Sequence, residues 1–252
     1  MSSPHVLTRT TGPFATLTLN RPAKRNALSR ALLAELIEAA GRLRERDDVH
    51  VVLFEAAGGS WSVGADLHDV AALLGEGPPT RAWARQGQDA VEALEALPQV
   101  VVAAARGHVL GGGLLLFLAA DLRIAARGAR FALPEVPLGI PLAWGGIPRL
   151  VREIGPATTR DLVLTGRTLE AEEARAMGLV SRVVGEGDLD AEAAATVRGL
   201  LDTPAHPLRQ TKAQMREAVE ALVDGSAAGD ADRLLAAMAH PDFAAAARAF
   251  RK

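Results

Sequence analysis

Three stretches of the chain combine residue types that could handle a carbonyl compound. In "VLGGGLLLFLAA", Val109–Ala120, the glycines Gly111, Gly112 and Gly113 stand at the head of the most apolar run. Glycine costs a helix up to about 1 kcal/mol relative to alanine, so three together need a reason. A helix N-terminus built from them bares its backbone N–H groups and can donate to a developing oxyanion. The same glycines would also serve close helix–strand packing. Phosphate-binding readings fail. Gly107 and Gly112 have P-loop spacing, but Gly113 stands where the lysine belongs, and Leu114–Leu116 exclude G-x-G-x-x-G.

A second glycine turn, "GGSWSVGADLHD", offers small residues at Gly64 and Ala65, a backbone N–H at Val63, and Asp66 at the opening of a helix. His68 and Asp69 adjoin it, either as a solvated helix face or as a dyad. In "FALPEVPLGIPLAWGGIPRL", Glu135 sits in an apolar stretch. Desolvation there would raise its pKa and suit it to general acid/base work, whereas a loop-edge or ion-paired glutamate would stay ordinary.

The elements that must carry these groups alternate. "FATLTLN" has a strand's period of two. From Ser29, the apolar residues Leu32, Leu33, Leu36, Ile37, Ala40 and Leu43 mark one helix face, predicted to end near Asp47. "VHVVLFEAAGG" and "QVVVAAARG" read as buried strands flanking a helix over 81–97, and "DLRIAA" follows the helix that the glycine triplet opens. "RFALPE" and "LVSRVV" supply further short strands. Alternation of this kind predicts an α/β fold with parallel strands and helical crossovers. From about Asp188 the chain becomes Ala-rich and helical, with Leu208, Lys212, Met215, Val219 and Leu222 on one stripe and Phe243, Ala247 and Phe250 near the end. These helices either pack on a neighbouring subunit or fold back as a lid.

With 252 residues, 49% hydrophobic and 23% charged, the chain can bury a large core. A net charge of −2 with scattered Lys and Arg favours neither nucleic acid nor an anionic membrane as partner. The absence of cysteine excludes disulfides and thiolate chemistry. The start of the chain lacks a secretory pattern, and the longest apolar run, about 12 residues, falls short of the roughly 18 that span a bilayer. A cytoplasmic location is expected.

In chain order, "TLNRPAKRNALS", "SVGADL", "GHVLGGG", "DLRIAA", the Glu135 stretch, "LTGRTLEAEEARAMGLVSRVV" and "DFAAAARAF" resemble the enoyl-CoA hydratase/isomerase (crotonase) superfamily over nearly the whole chain. The resemblance implies a crotonase-like spiral of ββα units over residues 1–190 and a helical oligomerisation region over 191–252, which builds homotrimers or hexamers. It implies an acyl-CoA substrate whose thioester oxygen meets the N–H groups of Val63 and Gly112. No cofactor or metal is implied, coenzyme A being part of the substrate. Lys24, Arg25 and Ala27, with Ala65, Asp66 and Leu67, correspond to the coenzyme A contacts. Phe250 matches an aromatic that approaches coenzyme A from a neighbouring subunit, and Lys252 adds charge.

One of the two glutamates of the family's hydratases matches Glu135. The other falls on Leu115, which can neither hold water nor accept a proton. A single glutamate resembles the family's double-bond isomerases, with Leu115, Leu142 and Trp144 lining a dry pocket. Hydration and non-catalytic acyl-CoA binding are the alternatives.

Overall fold

Nine strands in two sheets form the frame of the computed structural model, which describes residues 3–70, 79–222, 227 and 229–249. The larger sheet contains β1 (Val6–Thr11), β2 (Phe14–Leu19), β3 (Val51–Ala56), β4 (Val100–Ala105), β6 (Leu122–Ala126) and β9 (Arg182–Val184), in the order β1-β2-β3-β4-β6-β9. β1 and β2 form an antiparallel hairpin turning at Gly12, and every other pairing in this sheet is parallel. The smaller sheet joins β5 (His108–Leu110), β7 (Arg130–Ala132) and β8 (Leu169–Glu170).

The helices are α1 (Arg30–Arg44), α2 (Arg81–Glu95), α3 (Gly112–Leu118), α4 (Gly146–Thr165), α5 (Ala171–Ala176), α6 (Leu189–Leu201), α7 (Ala205–Leu222), α8 (Asp230–Met238) and α9 (Pro241–Ala249). The alternating strand pattern divides the core into two layers. Leu17, Leu19 and Phe54 face α1, α2 and α3, while Val51, Val102 and Ile124 face Leu189, Ala193 and Val197 of α6. Trp61 lies at the centre of the first layer, edge-on to Phe54 at 4.7 Å and to Phe117 at 5.4 Å. Its indole N–H is satisfied by the Gly113 carbonyl at 2.8 Å, so burying it leaves no polar group unpaired.

Several elements differ from their sequence readings. α1 stops at Arg44, not near Asp47, because Leu43 is its last buried residue and Arg46 closes a turn onto the Leu43 carbonyl. α2 ends at Glu95, two residues earlier than expected, and Leu97 enters the core beyond it. No pattern announced α4, since Gly155 (φ 74°) and Pro156 break it into two pieces. β1 also went unread because only Val6 of its six residues is buried. The boundary expected after residue 190 falls inside α6, which closes the second core layer. Of the two placements open for the C-terminal helices, α8 and α9 take the lid position on their own chain. α8 packs on α2, and a methyl on Gly139 would come within 3.0 Å of the Phe243 Cα. α7 leaves Met215 63% and Val219 37% exposed.

Candidate active site

Register in the smaller sheet brings the chemical groups together. Leu110 of β5 pairs with Ala132 of β7, so the glycine triplet and the Glu135 loop leave the same ends of adjacent parallel strands. Ligands in α/β proteins gather at such carboxyl ends. Gly111 donates to the Ala132 carbonyl at 2.9 Å, fixing the triplet against the start of that loop. On the other side of β5, Ser62 bridges Val109, donating to the His108 carbonyl at 2.9 Å and accepting from Leu110 at 3.0 Å. Three loops, around 63, 111 and 135, therefore lie side by side.

Each glycine of the triplet has a separate reason. A methyl on Gly111, whose φ is 53°, would lie 2.6 Å from Glu135 Oε1. On Gly112 it would overlap the Trp144 ring, and on Gly113 it would reach Ser62 Cβ at 2.7 Å. The close-packing reading holds at all three positions, with side chains of Glu135, Trp144 and Ser62 seated against the glycine backbone. Gly112 is the first residue of α3, where an N–H has no acceptor within the helix.

Glu135 is held by a tight turn in which Ile140 donates to its carbonyl at 3.0 Å. Burial pushes its carboxyl up to about 7, and Oε2 has no hydrogen-bond partner among the described residues. Leu115, 1% exposed, stands one helical turn beyond Gly111 and leans back toward it. A methyl on Gly146 would touch Leu142 at 2.8 Å and Leu115 at 3.1 Å, so these leucines form one apolar wall.

Val63 donates its N–H to the Arg25 carbonyl at 3.2 Å, a long bond that a better-placed acceptor can replace. Its turn is fixed by groups that the sequence reading missed. Asn26, fully buried and left-handed (φ 53°), accepts from Arg21 N–H at 2.8 Å and donates to the Ala57 and Ser60 carbonyls at 2.9 and 2.8 Å. Asparagine's tolerance of that backbone region was the available signal. Burial pushes the Asp66 carboxyl up, but the Arg21 guanidinium 2.9 Å away and the His68 N–H outweigh it and hold it below its ordinary value.

Lys24 and Arg25 are exposed and Ala27 is buried. Leu28 pairs with Ala65, which carries that turn beside Ala65, Asp66 and Leu67. Leu67 is 58% exposed there. His68 and Asp69 form no dyad, because Asp69 accepts the Arg30 N–H at 3.0 Å and caps α1. Phe250 and Lys252 lie outside the described residues. Among the described residues no cluster of His, Asp and Glu could hold a metal, and no helix is long and apolar enough to cross a membrane.

A family model described as enoyl-CoA hydratase/isomerase matches residues 9–251. A Mycobacterium tuberculosis protein named "Probable enoyl-CoA hydratase EchA17" is 38% identical over 207 residues, covering 82% of this chain and 78% of that one. Among solved structures, an enoyl-CoA hydratase from Mycobacterium avium subsp. paratuberculosis superposes with a TM-score of 0.88 at 26% identity, covering 98% of this chain and 95% of that one. An enoyl-CoA hydratase/isomerase from Pseudoalteromonas atlantica gives 0.87 at 27% identity, covering 98% and 96%. The sheets, the loops gathered at their carboxyl ends and the helical C-terminal region thus follow a crotonase-like plan along almost the entire chain, and the protein belongs to the enoyl-CoA hydratase/isomerase family.

Proposed function

We propose that the protein shifts the double bond of an enoyl-CoA, with Glu135 as its single acid/base. The carboxylate takes a proton from C2 and returns it at C4, or the reverse. The enolate formed between the two transfers is held by the Gly112 N–H and by the Val63 N–H once the thioester oxygen replaces the Arg25 carbonyl. Losing one such donor costs acyl-transfer enzymes about 3 to 4 kcal/mol. Lys24, Arg25 and the Ala65–Leu67 turn would receive coenzyme A. The observation that carries the reading is Glu135 itself, partly buried, with Oε2 lacking a hydrogen-bond partner among the described residues and its carboxyl pushed up to about 7, and with hydrocarbon at Leu115 in place of a second carboxylate. A proton shuttle needs one such base in a dry pocket; adding water needs a group to position it.

Hydration is the second reading, favoured by the name of the Mycobacterium tuberculosis relative. Incubation with a 3-enoyl-CoA and separately with a 2-enoyl-CoA distinguishes the two. Isomerisation predicts 2-enoyl product from the first, abolished in Glu135→Gln. Fast 3-hydroxyacyl-CoA formation from the second would replace isomerase by hydratase. Calorimetric binding without turnover of either would leave a binder. In the same reading α7 joins copies of the chain into trimers or hexamers, and the protein works in the cytoplasm.

A further inference from the structure

Trp144 occupies a place that a bulky residue rarely takes. Its backbone is left-handed (φ 58°), and Gly145 after it is left-handed as well (φ 68°). Three helices hold this turn. Arg149 of α4 donates Nη1 to the Trp144 carbonyl at 2.7 Å and grips Glu95 of α2 through two hydrogen bonds of 2.6 Å. Asp230 of α8 accepts the Gly145 N–H at 2.9 Å. The indole so placed enters a slot between α2 and α3. A methyl on either Gly87 or Gly112 would overlap its ring, and Trp144 packs against both the main core and the cluster formed by Ala84, Ala143, Ala231, Leu234 and Met238.

Glu135 rests on Gly111 and Trp144 on Gly112, one residue on, with their Cα atoms about 3.8 Å apart. An acyl chain whose reacting carbons face the carboxylate therefore meets the ring within a few further carbons. We infer that Trp144 is the end wall of the acyl site and restricts the protein to short acyl groups. The inference rests on the acyl-CoA reading above. Arg149, Glu95 and Asp230 are positioning residues that keep the wall upright.

Binding of saturated acyl-CoAs tests the wall without requiring chemistry. Calorimetry with butyryl-CoA and decanoyl-CoA should show the four-carbon thioester binding at least tenfold more tightly to the wild-type protein. In Trp144→Ala the ratio should move at least tenfold toward decanoyl-CoA. Should that variant fail to fold, Trp144→Leu, which retains an apolar side chain, should move the ratio in the same direction. Equal wild-type affinities, or an unchanged ratio in a folded variant, would overturn the wall. Length-selective binding with no turnover of any enoyl-CoA would uphold the wall and refute the isomerase. Isomerisation of six- and ten-carbon 3-enoyl-CoAs at equal efficiency would refute the wall and uphold the isomerase. Failure to bind either thioester would refute both.

Discussion

Glu135 carries one ionisation with two measurable consequences. If it is the proposed base it must be charged to act, so kcat/KM for a 3-enoyl-CoA should rise with pH through about 7 and then level off. The effect on stability has the opposite sense. A carboxyl whose folded pKa lies above its ordinary 4.5 favours the folded state protonated, so stability falls as pH climbs from about 4.5 to about 7 and stays lower beyond. The shift corresponds to about 3 kcal/mol. Glu135→Gln escapes this loss. Its stability relative to wild type should improve by a large part of that amount between pH 5 and pH 8 in urea unfolding, while its activity falls by 10²-fold or more. A stability difference that does not change with pH would contradict the desolvation of this carboxyl.

Among the elements, α1 shows how a chemical-looking pair can serve structure. Ser29 Oγ accepts the Leu32 N–H at 3.2 Å and Asp69 Oδ2 accepts the Arg30 N–H at 3.0 Å, so two orphan donors at the helix start are satisfied, one by a residue 39 positions away. The negative Asp69 also sits favourably at the positive helix end. Asp69→Ala should lower stability by about 1 kcal/mol, read from the denaturant midpoint, with the proton-transfer rate unchanged. A hundredfold loss of rate at intact stability would restore the dyad with His68 as a chemical group.

For the whole molecule, the same C-terminal region does two different things. α8 and α9 cover α2 and the loop bearing Trp144, whereas one side of α7 is tied to the larger sheet. There Lys212 donates to the Gln99 carbonyl and to Asp121, both at 2.7 Å, and Arg209 donates to the Val49 carbonyl at 2.8 Å. Met215 and Val219 on the outer side of α7 remain 63% and 37% exposed, as does Leu164 of α4 at 66%. If these helices join subunits, Met215→Glu should shift the sedimentation coefficient toward the monomer without melting the core. An unchanged assembly would remove α7 from the interface.

The sequence by itself determined the parts whose cause is local. Apolar periodicity marked β2, α1, β3, α2, β4 and β6, because each buries one face or both and short-range pattern reports that directly. Motif order assigned Glu135, Gly112 and Leu115 to the site that the family resemblance implies, and a close approach at the triplet was readable from the cost of three glycines in a row. Tertiary structure decided everything that depends on what lies opposite. Only the pairing of Leu110 with Ala132 sets Glu135 over Gly111, and only the packing of α2 on α3 makes a slot for Trp144. Asn26, Arg149, Glu95 and Asp230 gave no periodic signal, since such polar residues answer to particular distant partners: 34 residues away from Asn26 to Ser60, 54 from Arg149 to Glu95, and 85 from Gly145 to Asp230. A chain read residue by residue shows which groups can do chemistry. The contacts across that sequence distance decide which carboxyl is desolvated against the glycine triplet and which caps a helix.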